Sequence, residues 1–288
     1  MKLAWLAATV ASLCISTSAA AECRLSIVRG DSPTVTHEPF GVTPTQMSFS
    51  VGVRNAGDES CLASLYLLPR EGQPLLSDGR HSLAYIVRSP AGLGGGGELG
   101  PATVTVPAGE LQTVLIDAEI PAGFAAPGDY VGEIGLRLNR DRDLVAQSTM
   151  TLRASVPPRV QMSISGARSR DRAAVGAGPA LMDLGTLHDG SAATVFVNVW
   201  TNSSVRVSIQ SENLGVLRLV SNPGLSPIPY VVHFAGESGS LSGPMRAVRS
   251  PAETSDGDSY PLSVVVPIVR APFAGTYRDV LTVSVDNY

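Results

Sequence analysis

Lysine is almost absent from this chain of 288 residues, because Lys2 is the only one and arginine supplies the other basic side chains. After residue 21 no apolar run approaches the roughly 20 residues that a membrane-spanning helix needs. Four isolated histidines lack the spacing of a metal site: His37, His81, His188 and His233. No Gly-x-Ser-x-Gly nucleophile motif occurs. These absences argue against a membrane span, a metal or other cofactor, and an enzyme.

The first 21 residues have the pattern of a secretory signal peptide. Lys2 is followed by an apolar run from Leu3 to Ile15 and by small residues that end at Ala21. Processing after Ala21 would leave 20 arginines against 25 acidic residues, a net charge of about −5. A mildly acidic chain has no electrostatic reason to bind nucleic acid. We therefore expect a soluble, exported protein.

Cysteine is also scarce: there are three, and Cys14 lies in the expected leader. The mature chain would keep Cys23 and Cys61, an even number in an oxidising export route. A disulfide between them is the simpler interpretation, and two free thiols are the alternative. Closing a loop of about 39 residues would add about 3 to 4 kcal/mol of stability in the chain-entropy model.

A weak internal repeat predicts two domains of one fold. Three pairs of residues in similar surroundings recur 147, 145 and 147 positions apart: Asn55 and Asn202, Tyr85 and Tyr230, and Tyr130 and Tyr277. Between the copies, Pro157 and Pro158 can form a stiff extended joint. We predict a signal peptide over 1–21, an N-terminal domain over 22–156 and a C-terminal domain over 157–288.

Both copies are predicted to be all-β, because short apolar or alternating runs are separated by Gly, Pro, Asn and Asp turns. Strands of the first copy are predicted at Met47–Val53, Leu62–Leu68, Ala84–Val87, Thr103–Val106, Thr113–Ile116 and Tyr130–Leu138. Strands of the second are predicted at Ala193–Trp200, Val205–Gln210, Val216–Val220, Tyr230–Ala235, Leu262–Ile268 and Tyr277–Val285. This pattern predicts two immunoglobulin-like β-sandwich domains in tandem, with barrels as the alternative.

The last predicted strand shows the clearest alternation. Tyr277, Leu281, Val283 and Val285 place large apolar groups on one face, while polar residues point the other way. The sequence stops shortly afterwards, at Tyr288. We expect an exposed edge here, whose unpaired backbone groups invite another chain. The alternative is an ordinary edge strand of a complete domain.

Several short motifs stand in matching places of the two copies. The second copy carries Asp183-Leu184-Gly185, Asn202, Ile228-Pro229-Tyr230 and the run from Ala274 to Val283. The first carries Cys23, Pro39-Phe40, Asn55, Cys61, Tyr85 and Pro127-Gly128-Asp129-Tyr130. With these motifs the second copy resembles the spore coat protein U family, which supplies the subunits of Csu-type archaic chaperone-usher pili. The first resembles a diverged version. Because the second copy lacks cysteine, the family's usual disulfide could form only in the first.

The resemblance implies donor-strand complementation. The C-terminal domain would be an incomplete pilin-type sandwich, filled first by a periplasmic pilus chaperone and then by the N-terminal extension of the adjacent pilus subunit. The accepting edge would include Tyr277, Leu281, Val283 and Val285, with the carboxylate of Tyr288 offered to the chaperone. An outer-membrane usher is the further partner that the resemblance implies.

The resemblance also implies a place in the pilus. Processing after Ala21 would leave only Glu22 ahead of Cys23, and so no arm to donate. We therefore expect a tip adhesin that is exported through the periplasm to the cell surface and attaches to a host or abiotic surface during biofilm formation. Adhesive contacts are expected at Leu93, Leu99 and Phe124, although Phe124 could instead plug the end of the first sandwich. An ordinary shaft or assembly subunit and an unrelated secreted immunoglobulin-like binding module are the alternatives.

Overall fold

The computed structural model describes residues 22–88, 101–166, 176, 179–249, 255–270 and 272–288. Within these residues the regular secondary structure consists of β-strands and one 3-10 turn at Arg70–Gly72, without an α-helix. This part of the chain therefore contains no helix of the length and apolar character needed to cross a membrane. Two hydrophobic clusters form, one in the first half (22–156) and one in the second half (157–288). The prediction of an all-β fold is confirmed.

The first half forms two antiparallel-rich sheets that pack face to face. Its strands are β1 (Leu25–Arg29), β2 (Thr34–Thr36), β3 (Thr45–Asn55), β4 (Cys61–Pro69), β5 (Leu75–Ser77), β6 (Ser82–Ala84), β7 (Ile86–Arg88), β8 (Ala102–Val106), β9 (Leu111–Ile120), β10 (Gly128–Arg140) and β11 (Asp143–Val156). One sheet has the order β1-β3-β9-β7, and the other has the order β2-β11-β10-β4-β8, with β5 joined to β10 and β6. Alternate residues of both sheets point inward, so that Val51 and Ile134, for example, are fully buried.

The second half is built from similar strands, which form one sheet of five strands and two sheets of three. Its strands are β12 (Val160–Ser165), β13 (Ser191–Thr201), β14 (Val205–Ser211), β15 (Val216–Leu219), β16 (Ile228–Pro229), β17 (Val231–Phe234), β18 (Glu237–Gly239), β19 (Met245–Arg249), β20 (Asp258–Val266), β21 (Tyr277–Arg278) and β22 (Leu281–Asn287). The sheet orders are β12-β13-β20-β17-β18, β19-β14-β22 and β16-β15-β21. Buried valines of β13 and β20, including Val197 and Val264, form the centre of the second cluster.

Several short strands were not predicted, β1, β2 and β12 among them, and two further features differ from the sequence prediction. The final strand is not continuous, because Asp279 and Val280 separate β21 from β22, and the two strands belong to different sheets. The first half also contains β11, a strand of 14 residues that was not predicted. Strand β11 lies beside β10 along its whole length, from Gly128 opposite Val156 to Arg140 opposite Asp143. The first half therefore continues for one long strand beyond the last strand that was predicted for it.

Candidate functional site

Two strands of the second half, β12 and β22, each have one unpaired edge. Among the described residues β12 pairs only with β13, and β22 pairs only with β14. The two strands lie on opposite sheets at the same side of the sandwich, with some of their Cα atoms within 8 Å of each other. Backbone N–H and C=O groups that face away from the partner of an edge strand are free to pair with another chain.

The space between these strands has apolar walls, which we name the β12–β22 groove. Its walls are six side chains that pack on the second hydrophobic cluster and are only partly buried: Val160, Met162, Ile164, Leu281, Val283 and Val285. Along β22 the half-buried residues alternate with exposed Thr282, Ser284 and Asp286. The three apolar residues of β22 therefore point into the groove, as the alternation predicts.

The first half shows what the same strand looks like when a neighbour covers it. The repeat spacing of 147 residues relates Ile134, Leu136 and Leu138 of β10 to the three groove residues of β22. In β10 these side chains are 0%, 1% and 0% exposed, because β11 closes the sheet beside them. Strand β14 pairs with β22 as β4 pairs with β10. Among the described residues, no strand pairs with the other edge of β22 as β11 does with β10.

The packing of the two clusters differs in the same way. In the described residues the first cluster has 24 buried hydrophobic residues and 7 partly buried ones packed against it. The second has 16 buried and 14 partly buried ones. Nearly half of the apolar residues in the second cluster thus retain contact with water. Such a surface is stabilised when a further apolar element covers it.

A polar network fixes the start of β22. The Tyr230 hydroxyl and the Ser211 hydroxyl both donate to Oδ2 of Asp279, and the backbone N–H groups of Asn213 and Val280 donate to Oδ1 at 3.1 and 2.7 Å. Burial and the Asp279 carboxylate raise the pKa of Tyr230, so this hydroxyl keeps its proton and donates. The network explains why Tyr277 and the groove residues lie on separate strands.

The other predicted edge residues, Tyr277 and Tyr288, lie beside the groove and not in its walls. Tyr277 pairs with Leu219 of β15, and its hydroxyl lies 3.1 Å from the backbone nitrogen of Phe273. Tyr288 is 68% exposed, and the guanidinium carbon of Arg206 lies 4.4 Å from the centre of its ring. The residues that sequence reasoning missed are those of β12, although Val160, Met162 and Ile164 also alternate with polar residues.

The expected adhesive contacts have different outcomes. Leu93 and Leu99 lie outside the described residues. Phe124 is half-buried, with its ring centre 6.1 Å from that of Phe40. The carbonyl of the next residue, Ala125, accepts a hydrogen bond from Asn202 of the second half. Phe124 therefore lies where the two halves meet, and its role as an adhesive contact stays a prediction.

The disulfide prediction is confirmed: Cys23 and Cys61 are bonded, with their Cα atoms 5.9 Å apart. Beside it, the backbone N–H of Glu22 donates to Oδ1 of Asp58 at 2.7 Å. Strand β1 begins three residues later, at Leu25. From Glu22 onward the chain is thus held to the first half.

Within the described residues no three side chains of the metal-binding types come together as a metal site. His37 is buried beside Thr45, and His81 pairs with Asp78. The carboxylate of Asp78 accepts backbone hydrogen bonds from His81 and Arg80, which lower its pKa to about 2. These contacts give the two histidines structural roles.

Several solved structures are similar in fold to this chain. One is a chaperone–tip adhesion subunit pre-assembly complex, CsuC–CsuE, from archaic chaperone-usher Csu pili of Acinetobacter baumannii: identity 12%, TM-score 0.44, covering 89% of this chain and 99% of that chain. CfaE, the adhesive subunit of CFA/I fimbria of enterotoxigenic Escherichia coli, is 15% identical with a TM-score of 0.36, covering 92% and 81%. Self-complemented MyfA, the major subunit of Myf fimbriae from Yersinia enterocolitica, is 12% identical with a TM-score of 0.28, covering 47% and 98%.

No protein-family profile and no curated protein sequence matches this chain. The three structures above are less than 25% identical to it and have TM-scores below 0.5. They therefore assign it neither a family nor a function. The resemblance to the spore coat protein U family stays an expectation that rests on the motifs quoted from the sequence.

Proposed function

We propose that this protein is the adhesin subunit at the tip of a chaperone-usher pilus, and that its second half accepts a β-strand from the adjacent subunit. The observation that carries the proposal is the contrast between β22 and β10. The same three positions are buried by β11 in the first half and half-exposed at an unpaired edge in the second half. A strand supplied by another polypeptide would pair with β22 and bury its apolar residues, as β11 does for β10.

The energy available is large enough to matter. If a donor strand completes the burial of the six groove residues, each contributes roughly 1 kcal/mol, since about half of its surface is already covered. The donor's own apolar side chains and the new backbone hydrogen bonds add to this sum. The total approaches the roughly 5 to 15 kcal/mol by which a whole domain is stable. A second half without a donor is expected to be marginal, which is why a periplasmic chaperone would be needed before an usher adds the subunit to the pilus.

The tip position rests on the front of the chain. Glu22 and Cys23 are tied to the first half by a hydrogen bond and a disulfide. If export removes residues 1–21, no free arm is left to fill the groove of another subunit. The first half, whose β10 is covered by β11, would then be the part that faces a host or abiotic surface. N-terminal sequencing of the exported protein tests this step, since a retained arm ahead of Glu22 would favour a shaft subunit.

The chain itself supplies a donor with which to test the acceptor groove. Asn287 is the repeat equivalent of Arg140, after which residues 141–156 turn back and form β11. A second copy of residues 141–156 attached after Asn287 should therefore fold along β22. The matched control carries the same segment with Met150, Leu152 and Ala154 of the attached copy changed to asparagine.

The measurement is thermal unfolding of the second half, followed by the fluorescence of Trp200. We expect the apolar attached strand to raise the unfolding temperature by more than about 10 °C, a shift of several kcal/mol for a domain of this size. The polar control should leave the unfolding temperature within a few degrees of the parent protein. Equal unfolding temperatures for the two attached strands would reject an acceptor groove on β22.

A further inference from the structure

Asn202 is a buried side chain whose hydrogen bonds join the two halves. Its Oδ1 accepts the backbone N–H of Arg159 at 2.7 Å. Its Nδ2 donates to the carbonyl of Pro157 and to the carbonyl of Ala125 in the first half, both at 3.1 Å. The amide thus uses its acceptor and both of its donor hydrogens, and the residue is 7% exposed.

The repeat equivalent of this residue, Asn55, makes its bonds within the first half. Its Oδ1 accepts the backbone N–H of Arg24 at 3.4 Å, just as that of Asn202 accepts Arg159. Its Nδ2 donates to the carbonyls of Glu59 at 2.6 Å and Val106 at 3.2 Å. Both asparagines therefore hold the residue before an outer strand, β1 or β12. Only Asn202 also reaches into the other half.

Two further contacts connect the same linker, residues 157–159, to both halves. The guanidinium of Arg159 forms two hydrogen bonds with Glu38 of the first half, at 2.9 and 3.1 Å. Asn287, the last residue of β22, donates from Nδ2 to the carbonyl of Pro158 at 3.2 Å. The linker is thus bonded to the first half, to the residue that follows β13, and to the end of β22.

Both walls of the β12–β22 groove begin or end at this linker. Val160, the first residue of β12, directly follows Arg159, and Asn287 terminates β22. A strand that orders β12 and β22 therefore also orders the groups that hold the linker. Ordering of one site lowers the entropic cost of ordering a second site bonded to it, and this coupling acts in both directions.

We propose that Asn202 is a positioning residue that couples the β12–β22 groove to the first half, so that a strand in the groove stiffens the joint between the two halves. This inference rests on the proposed acceptor function of the groove. It adds that the receptor-facing half and the strand-accepting half of the subunit do not move independently once the subunit is assembled.

The experiment follows deuterium exchange of the Arg159 amide in the full chain, through a peptide spanning residues 155–163. It compares the protein with and without the attached copy of residues 141–156, each with Asn202 intact and with Asn202→Asp. The aspartate keeps the acceptor and the shape but loses both donors, and it places a negative charge beside two carbonyl oxygens. Asn55→Asp is the matched control, because it breaks the equivalent bonds inside the first half only.

We expect the attached strand to slow exchange of this amide about fivefold, the factor that corresponds to one net hydrogen bond. Asn202→Asp should remove that response because it breaks the bonds from Nδ2 to Ala125 and Pro157, whereas Asn55→Asp should leave the response unchanged. If Asn202→Asp fails to fold by Trp200 fluorescence, Asn287→Ala serves as the second variant. This substitution alters an exposed residue and removes the bond between β22 and the linker, so it should weaken the same response.

The outcomes separate this coupling from the acceptor function. An attached strand that stabilises the second half without slowing exchange at Arg159 would overturn the coupling and leave the acceptor groove in place. A response that survives both Asn202→Asp and Asn287→Ala would also overturn it. If the attached strand does not stabilise the second half at all, the acceptor function and the coupling fail together.

Discussion

Replacing Tyr230 by phenylalanine should destabilise the second half alone, because it removes one hydroxyl from the network that anchors β22. Tyr230 is buried, and its hydroxyl donates to the carboxylate of Asp279. After the substitution Asp279 still accepts hydrogen bonds from Ser211, Asn213 and Val280. The carboxylate is therefore weakened as an anchor but is not left without partners.

The size of the effect follows from the chemistry of the lost bond. A hydrogen bond to a charged group contributes about 1.5 to 3 kcal/mol. Because Asp279 keeps three donors, we expect the lower part of this range, about 1.5 to 2 kcal/mol. For a domain of this size that corresponds to a fall in unfolding temperature of about 5 to 8 °C.

The first half provides a matched control in Tyr85, the repeat equivalent of Tyr230. Tyr85 is as deeply buried, and burial raises its pKa to about 12, but its hydroxyl has no hydrogen-bond partner among the described residues. In the first half Gly132 is the repeat equivalent of Asp279. Pro69 lies opposite Ile134 where Ser211 lies opposite Leu281, so neither position offers a polar side chain to Tyr85. Tyr85→Phe should therefore change stability by less than about 0.5 kcal/mol, since no hydrogen bond to a described residue is lost.

The assay is thermal unfolding followed by two signals. Trp200 is buried in the second half, and the other tryptophan, Trp5, lies in the expected leader, so fluorescence follows the second half. Calorimetry follows both halves. Equal shifts for Tyr230→Phe and Tyr85→Phe, or no shift for Tyr230→Phe, would refute the view that Asp279 anchors β22.

Two further predictions concern the first half and the assembled pilus. Burial keeps the pKa of His37 below its usual value of 6.5, so the unfolded chain takes up a proton before the folded chain does as the pH falls. The first half should therefore lose stability between about pH 6.5 and the lower pKa of the folded state. Comparing unfolding temperatures at about pH 7.5 and 5.5 checks this, and His37→Gln should reduce the difference between the two temperatures. Asp78, with a pKa of about 2, affects stability only at lower pH. Val283→Arg should abolish assembly of the protein into surface pili because it places a charge in the β12–β22 groove, while Thr282→Arg on the opposite face of β22 should not. Assembly is measured by immunoblotting of sheared pili. Equal assembly of the two variants would count against the groove as the assembly site.

Much of the fold could be predicted from alternation and turn residues, because these patterns act over a few neighbouring positions. The predicted runs at Met47–Val53, Tyr130–Leu138 and Ala193–Trp200 all lie within observed strands. Strand β11 was missed even though Met150, Leu152 and Ala154 alternate with polar residues. Small and polar residues such as Ala146 and Ser148 weaken that pattern at its beginning. Its burial is decided by β10, its partner in the sheet.

The candidate site could be predicted only in part, since it consists of two walls that are far apart in sequence. The wall from β22 follows from its own alternation. The wall from β12 depends on which strand pairs with β13, a long-range contact that local pattern does not encode. For the same reason the sequence could not predict the surroundings of Phe124. Its contact with Phe40 and the bond from Asn202 to Ala125 both cross long stretches of sequence.

The internal repeat gives the best physical reason to regard the open edge of β22 as functional. At positions where the copies agree, such as Asn55 and Asn202, the backbone task is shared, since each asparagine holds the start of an outer strand. Where they differ, the second copy carries groups that hold β22 in place without a covering strand, above all Asp279 in place of Gly132. A side chain at position 132 would collide with Leu76 at 2.6 Å, so the first copy has no room for such an anchor. A strand that accepts a partner is expected to be held in a fixed position by contacts within its own half and to keep one edge unpaired.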